Sequence, residues 1–425
     1  MESQPGHGAS SDRGEYLPRR QTINGVLTDS IGGTTYGGTG IYAAQIGGVW
    51  DALLGEGRNF WFSASSDWHN RGRFSADDRR STQDFFPGEY QRMYVMVRNG
   101  TDKIRPQAIV DGMRTGNKFA ASGQLIDRLA FVACASYPGI GARSNAAVEA
   151  IAVAAATHNT DIDTAGCATM GEKLKVRPGA EIVVSIVVRD PAGTNYAPYT
   201  FPNPSLMQIG VSQPVNAPVL DHIDLIRGLV TGYKTPGAAD YAGQWPTNTA
   251  WLRADGSTPA DLSSVPAAAK NTSAALIKTF NSSGASPWAP VNSGVDNTVF
   301  LKMTYRVPAV QASQYLRLRG SNLPAAVPFE TDANGNPLAD LHTNSGNGTT
   351  DLVNLKIPCT TAGSNLPDNG TVYTGSTING CPNHLPVVGG VKMNALDVAA
   401  WSDLWFYSNP IYVEVAGKTV VVGVR

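Results

Sequence analysis

Apolar residues recur along the first third of the chain with two periods. Between Ile41 and Arg58 they fall at Ile46, Val49, Trp50, Leu53 and Leu54, a helical stripe closed by Gly55 and Gly57. Phe60, Trp61 and Phe62 then lead into small residues and a polar stretch. That pattern predicts a short buried strand whose C-terminal end opens onto a polar site. Further on, Arg92 to Arg98 reads as a strand, Arg105 to Arg114 as a helix and Lys118 to Gly123 as a strand, an α/β order of elements.

From about Leu129 the pattern changes to short β-rich runs. Leu129 to Cys134, Val148 to Ala154, Leu174 to Val176, Glu181 to Arg189, His222 to Val230, Thr298 to Arg306, Tyr315 to Arg319, Ile411 to Val415 and Thr419 to Val424 all read as strands. Glu181 to Arg189 is the clearest, a continuous apolar run closed by Asp190-Pro191. Many strands with few helical periods between them predict a β-sandwich. Residues 233–291 and 321–388 are polar and punctuated by Pro and Gly, and are expected to be loop insertions. The expected organisation is therefore α/β over residues 1–128, followed by a β-rich domain over residues 129–425.

Candidate chemistry concentrates at the end of the Phe60 run. On an extended strand Asp67 and His69 point to the same face, so carboxylate and imidazole can converge while Trp68 points away. A hard oxygen beside an imidazole suits zinc, manganese or iron better than calcium. Taken alone, an Asp-x-His pair is more often an ordinary turn or strand-end hydrogen bond.

A wider set of motifs changes that weighting. Trp50-Asp51 through Gly55-Glu56-Gly57-Arg58, Ser66-Asp67-Trp68-His69, Pro87-Gly88-Glu89-Tyr90, Ala108 through Gly116 and Phe119 through Gly123 together resemble the closing portion of PHP-type (polymerase and histidinol phosphatase) metal-dependent phosphoesterases. The Tyr407-Ser-Asn-Pro-Ile411 turn and its following strand resemble the closing segment of exported PHP-like proteins. The resemblance implies a distorted β/α barrel holding two or three metal ions, with Asp67 and His69 as ligands and catalytic residues. It makes His7, after Pro5-Gly6, a third ligand and Glu2 a weaker one. Arg71, Arg73 and Arg20 become candidates for holding substrate oxygens, as do Arg13 and Arg19, although all five also suit a solvated surface. The family opens with a His-x-His pair, and none occurs in this sequence. The barrel is thus expected to be incomplete and the chain to be a fragment or the product of a truncated gene.

Composition adds limits. The net charge of −1 over 425 residues argues against a nucleic-acid surface, and no apolar run is long enough to span a bilayer. Four cysteines, Cys134, Cys167, Cys359 and Cys381, lack any Cys-x-x-Cys spacing. Their order permits Cys134–Cys167 and Cys359–Cys381 bridges, with buried free thiols as the alternative. Low charge with disulfides would favour a periplasmic or extracellular protein.

Other polar clusters read as structural. Asp221-His222-Ile223-Asp224 opens an apolar strand and is expected to be satisfied by backbone. Asp332 to Asp340 lacks the closing glutamate of a calcium loop and reads as an Asn-Gly turn. The aromatics of Trp401 to Tyr407 read as packing rather than as a carbohydrate platform. The expected activity is hydrolysis of a small phosphate ester or related ester by metal-activated water. A catalytically inactive PHP-like remnant, serving as a structural or binding module, is the other expectation.

Overall fold

The computed structural model describes residues 21–23, 26–28, 45–64, 91–97, 105–122, 125–191, 219–235, 238, 270–283, 287–292, 299–325, 332–336, 387–388, 391–392 and 405–417. Three helices lie among them: α1 (Val49–Gly55), α2 (Arg105–Thr115) and α3 (Asn145–His158). The strands are β1 (Gln21–Ile23), β2 (Val26–Thr28), β3 (Gln91–Val95), β4 (Lys118–Ser122), β5 (Arg128–Cys134), β6 (Cys167–Ala168), β7 (Lys173–Val176), β8 (Ala180–Arg189), β9 (His222–Leu229), β10 (Ala275–Asn281), β11 (Ala289–Asn292), β12 (Val299–Val310), β13 (Gln314–Ser321), β14 (Val387–Val388), β15 (Val391–Lys392), β16 (Trp405–Ser408) and β17 (Ile411–Val415). Pairs β1–β2 and β14–β15 are separate small hairpins.

The chain among these residues is mostly β, with no closed barrel. An eight-stranded sheet runs β10-β9-β13-β16-β4-β3, and a five-stranded sheet runs β11-β12-β8-β5-β6. Strand β13 carries two successive partners along one edge. Its Arg319–Ser321 end pairs with β16, and its Gln314–Leu316 end pairs with β17, which continues in parallel to β7. The Asn409-Pro410 step between β16 and β17 makes that fork.

Alternation along the strands builds the interior. Leu129, Phe131 and Ala133 of β5 and Ile182, Val184, Ile186 and Val188 of β8 meet Phe119, Leu225, Leu316, Leu318, Phe406 and Val413 of the larger sheet in one buried cluster. The opposite residues of the smaller sheet, Val132, Val183 and Val187, pack under α3. The outer face of the larger sheet, with Ala120, Tyr315, Trp405 and Tyr407, is covered by Trp50 and Leu54 of α1 and by Phe62. The central strands β8 and β13 are therefore buried on two faces, which explains why β8 reads as a nearly continuous hydrophobic run, whereas β13 alternates Leu316 and Leu318 with buried arginines.

The segment expected as a strand at 148–154 is helical. Ser144 caps α3, its hydroxyl accepting from the Ala147 amide at 3.2 Å, and Asn159 closes it in the left-handed region with φ of 53°. Val148, Ala152, Ala155 and Ala156 share the buried stripe, a helical spacing in which seven alanines outweigh four β-branched residues. Glu149 fastens the helix to β12 by accepting from Lys302 Nζ at 2.8 Å and Thr304 Oγ1 at 2.7 Å. Strands β10 and β11 lie within 233–291, where a loop was expected. Both are edge strands, β10 largely half-buried and β11 largely exposed. Thr419 to Val424 lies outside the described residues.

Two constraints on stability follow from this arrangement. Cys134 and Cys167 face each other across β5–β6 and are joined by a disulfide that closes a 33-residue separation. Replacing both with alanine is expected to lower the unfolding free energy by about 3–4 kcal/mol, the loop-closure entropy for that length, read from urea melts. Asp190 ends β8 with Oδ2 accepting from the Leu220 amide at 3.0 Å. Burial pushes its pKa up from 3.8 to about 7, the Leu220 bond opposes the shift, and the Asp127 charge adds to it. Below about pH 4 folded and unfolded chains both hold this proton. As pH rises from there to about 7, the unfolded chain releases it first and stability falls; above that the loss is complete. Asp190→Asn is thus expected to match the parent near pH 4 and to gain stability up to pH 7, then level off, in urea melts taken across that range.

Candidate functional site

The outer face of the larger sheet concentrates the polar chemistry. On β13 the alternation that sends Leu316 and Leu318 inward sends Tyr315, Arg317, Arg319 and Ser321 outward beneath α1. Both arginines are wholly buried. Arg317 holds Asp51 of α1 at two points, Nε to Oδ1 and Nη2 to Oδ2, each at 2.7 Å. The same carboxylate accepts from the Tyr315 hydroxyl at 2.9 Å and the Gly47 amide at 2.7 Å. Asn271 Nδ2 reaches the Asp51 and Leu229 carbonyls and the Tyr315 oxygen at 3.2–3.3 Å.

Electrostatics here favour the paired state. Burial opposes the charge on Arg317, but Asp51 outweighs it and holds the guanidinium above its ordinary pKa. Burial, reinforced by the Asp51 charge, pushes Tyr315 well above its usual value, so it remains a donor. Trp50 covers the guanidinium, 5.0 Å from its ring centre. Gly228 lies opposite Tyr315 in the ladder, and a Cβ there would meet the phenol oxygen at 2.2 Å, so only glycine admits the ring.

A second buried pair lies further along β13. Arg319 Nε donates to Asp224 Oδ2 at 2.9 Å, and Thr279 Oγ1 donates to the other oxygen at 2.7 Å. His222 sits beside them, with Nδ1 2.9 Å from Asp221 Oδ1 and its ring edge-on to Trp405. His222 and Asp224 share a face as alternation requires, but side chains rather than backbone satisfy them, because Arg319 lies opposite Asp224 in the ladder. The 332–336 turn closes over this group. Asp332 accepts from the Asn334 and Asn336 amides at 2.8 Å, Gly335 has φ of 71°, and Asn336 accepts from Arg319 Nη1 at 2.8 Å. That loop is the Asn-Gly turn expected from its sequence.

Residues 60–64 run over the same face toward the predicted site. They are extended, but no strand pairs with them; the Asn409 side chain takes that place. Its oxygen accepts from the Phe62 amide at 2.6 Å and its nitrogen donates to the Phe62 carbonyl at 3.4 Å. Phe62 packs between Trp50 and Tyr407, and Trp61 donates to the Arg114 carbonyl at 2.8 Å. Lys118 Nζ donates to Ser63 Oγ at 2.6 Å. The lysine is 5% exposed, and burial lowers its pKa. It forms no ion pair among the described residues.

No protein-family model, curated protein or solved structure matches the chain. The predicted ligands and substrate residues Glu2, His7, Arg20, Asp67, His69, Arg71 and Arg73 lie outside the described residues, as do Arg13, Arg19, His342, His384, Cys359, Cys381 and Trp401. Among the described residues no group of three His, Cys, Asp or Glu side chains is arranged to hold a metal ion, and no helix is long and apolar enough to cross a membrane. Trp405, Phe406 and Tyr407 are buried packing residues.

Lys118, Asn409, Asp51, Arg317 and Arg319 are the polar residues that sequence reasoning passed over. The alternation Tyr315-Leu-Arg-Leu-Arg319 carries a signal, but it reads as a polar outer face until α1 is known to cover it. Removing the Asp51 carboxylate leaves Arg317 buried and uncompensated. Asp51→Ala is expected to cost about 3–5 kcal/mol in chemical denaturation, whereas the Asp51→Leu, Arg317→Met double variant loses markedly less.

Proposed function

We propose that this chain belongs to a PHP-type metal-dependent hydrolase acting on a small phosphate ester or related ester. The observation that carries the reading is the fastening of Phe62 and Ser63 by Asn409 and Lys118. The two stretches bearing the resemblance, roughly the first 130 residues and residues 401–415, are far apart in sequence, yet β16 pairs with β4 and Asn409 grips the run that leads to Asp67. Such fastening is what a strand end presenting ligands requires, since a site needs supports more rigid than a free loop. Lys118 is buried, forms no ion pair among the described residues and donates to Ser63, four residues before Asp67 in sequence, which also favours an anionic centre close by.

His7, Asp67, His69 and Glu2 would hold the metal, a mixed imidazole and carboxylate donor set that zinc, manganese and iron accept. A divalent ion there supplies Lewis acidity and a water of lowered pKa. Arg71, Arg73 and Arg20 would bind substrate oxygens, and Lys118 would orient Ser63 beneath the ligand-bearing run. The Cys134–Cys167 disulfide supports a periplasmic or extracellular location.

One observation favours the second reading, a catalytically inactive or truncated remnant. Among the described residues the strands form two packed sheets and no closed barrel, and β3 pairs with β4 at the edge of the larger one. Metal content by plasma mass spectrometry separates the two. Stoichiometric zinc, manganese or iron is expected in the native chain and is expected to vanish in a His7→Ala, Asp67→Ala, His69→Ala variant. A folded native chain without metal would leave the remnant standing.

A further inference from the structure

A cleft of about 420 Å³ opens between the β3 edge of the larger sheet, the end of the β5–β8 pair and the last turn of α3. Three arginines line it, Arg92, Arg128 and Arg189, with Asp127 as the one carboxylate among its lining residues. Asp127 is already engaged. Arg189 Nε donates to its Oδ1 at 2.6 Å, and Arg189 Nη2 donates to Oδ2. Arg92 hydrogen-bonds the Tyr94 hydroxyl. Arg128 makes no hydrogen bond or ion pair among the described residues.

Arg128 lies directly opposite Arg189 in the β5–β8 ladder, so two guanidinium groups stand together at the cleft while the carboxylate beside them, Asp127, is held by Arg189. The remaining wall is apolar and aromatic. Tyr94 stacks on Phe119 with ring centres 4.6 Å apart and planes within 8°, beside Leu129. An excess of positive charge among the lining residues beside the Tyr94–Phe119 aromatic pair fits a ligand with an anionic head and an apolar body.

We infer that this cleft binds a small organic anion, its carboxylate or phosphate held by Arg128 and Arg92 and its body laid against Tyr94. None of residues 60–64, the described part of the run toward Asp67, lines the cleft, and the residues that argue for binding here are not those that argue for the hydrolase reading. Arginine presents two parallel donors to either head group, and the volume lies in the range of ordinary small-molecule pockets.

The test titrates phenyl phosphate, benzoate and uncharged benzyl alcohol into the full chain by calorimetry. One anion at least binds at one site per chain, with benzyl alcohol tenfold weaker or more; the tighter of the two anions names the head group. Arg128→Gln weakens that binding about tenfold or more, the worth of one charge-assisted contact, and Arg128→Lys restores part of it. Without ligand, Arg128→Gln leaves the thermal midpoint unchanged or raises it, since a repulsion is removed. Absence of saturable binding by either anion overturns the proposal, as does parent-like binding by Arg128→Gln. A fall in the unliganded midpoint of Arg128→Gln would assign the arginine a structural role and overturn it equally.

Discussion

The contact between Asp51 and Arg317 joins α1, which covers the outer face of the larger sheet, to the strand at the sheet's centre. Most of what lies on that face depends on it. Trp50 and Leu54 cover Tyr315 and Trp405 because α1 is held in place, and Phe62 packs in the space between Trp50 and Tyr407. A short helix of seven residues has little stability of its own. Its docking is fixed by tertiary contacts, and the two-point carboxylate contact is the one with a defined orientation.

That docking bears on chemistry through Asn409. The side chain stands at the step between β16 and β17 and presents an amide to Phe62 as a neighbouring strand would. A side-chain amide satisfies one residue of an extended run, whereas a strand would satisfy several. Among the described residues the run is therefore gripped at Phe62 and Ser63 by side chains, without ladder partners. Lys118 adds a charge at the same place, buried deeply enough that its pKa falls.

Much of this fold was legible where local pattern and burial agree. The β8 run is mostly β-branched and forms the centre of the smaller sheet, and α2 ends within a residue of where its period stops. Val148 to Ala154 misled because Val148, Ile151 and Val153 suggest a strand, while the deciding signals, Ser144 and Asn159, lie outside the apolar run. Strands β10 and β11 were hidden for the opposite reason, since edge strands need little apolar sequence. The ion pairs were not legible at all. Asp51 and Arg317 are 266 residues apart and Asp224 and Arg319 are 95 apart, and no local rule links them. The predicted ligands lie outside the described residues, so the site itself rests on sequence.

The two buried pairs also decide between registers that hydrophobicity leaves open. A slip of β13 against β9 by two residues keeps Leu316 and Leu318 inward and preserves the alternation. It would bring Arg317 opposite Asp224, move Arg319 opposite His222 and strand Asp51 under α1 without a guanidinium. A slip in the other direction places Arg319 opposite Ile226 and leaves Asp224 facing Ser321. Each alternative buries at least one charge without its partner, a penalty of several kcal/mol that the apolar contacts do not offset. Replacing both pairs with apolar residues could match or raise stability, yet it would remove this discrimination. The arginines on β13 thus set the alignment of the strand that divides the sheet between β16 and β17, and with it the position of Asn409 over Phe62.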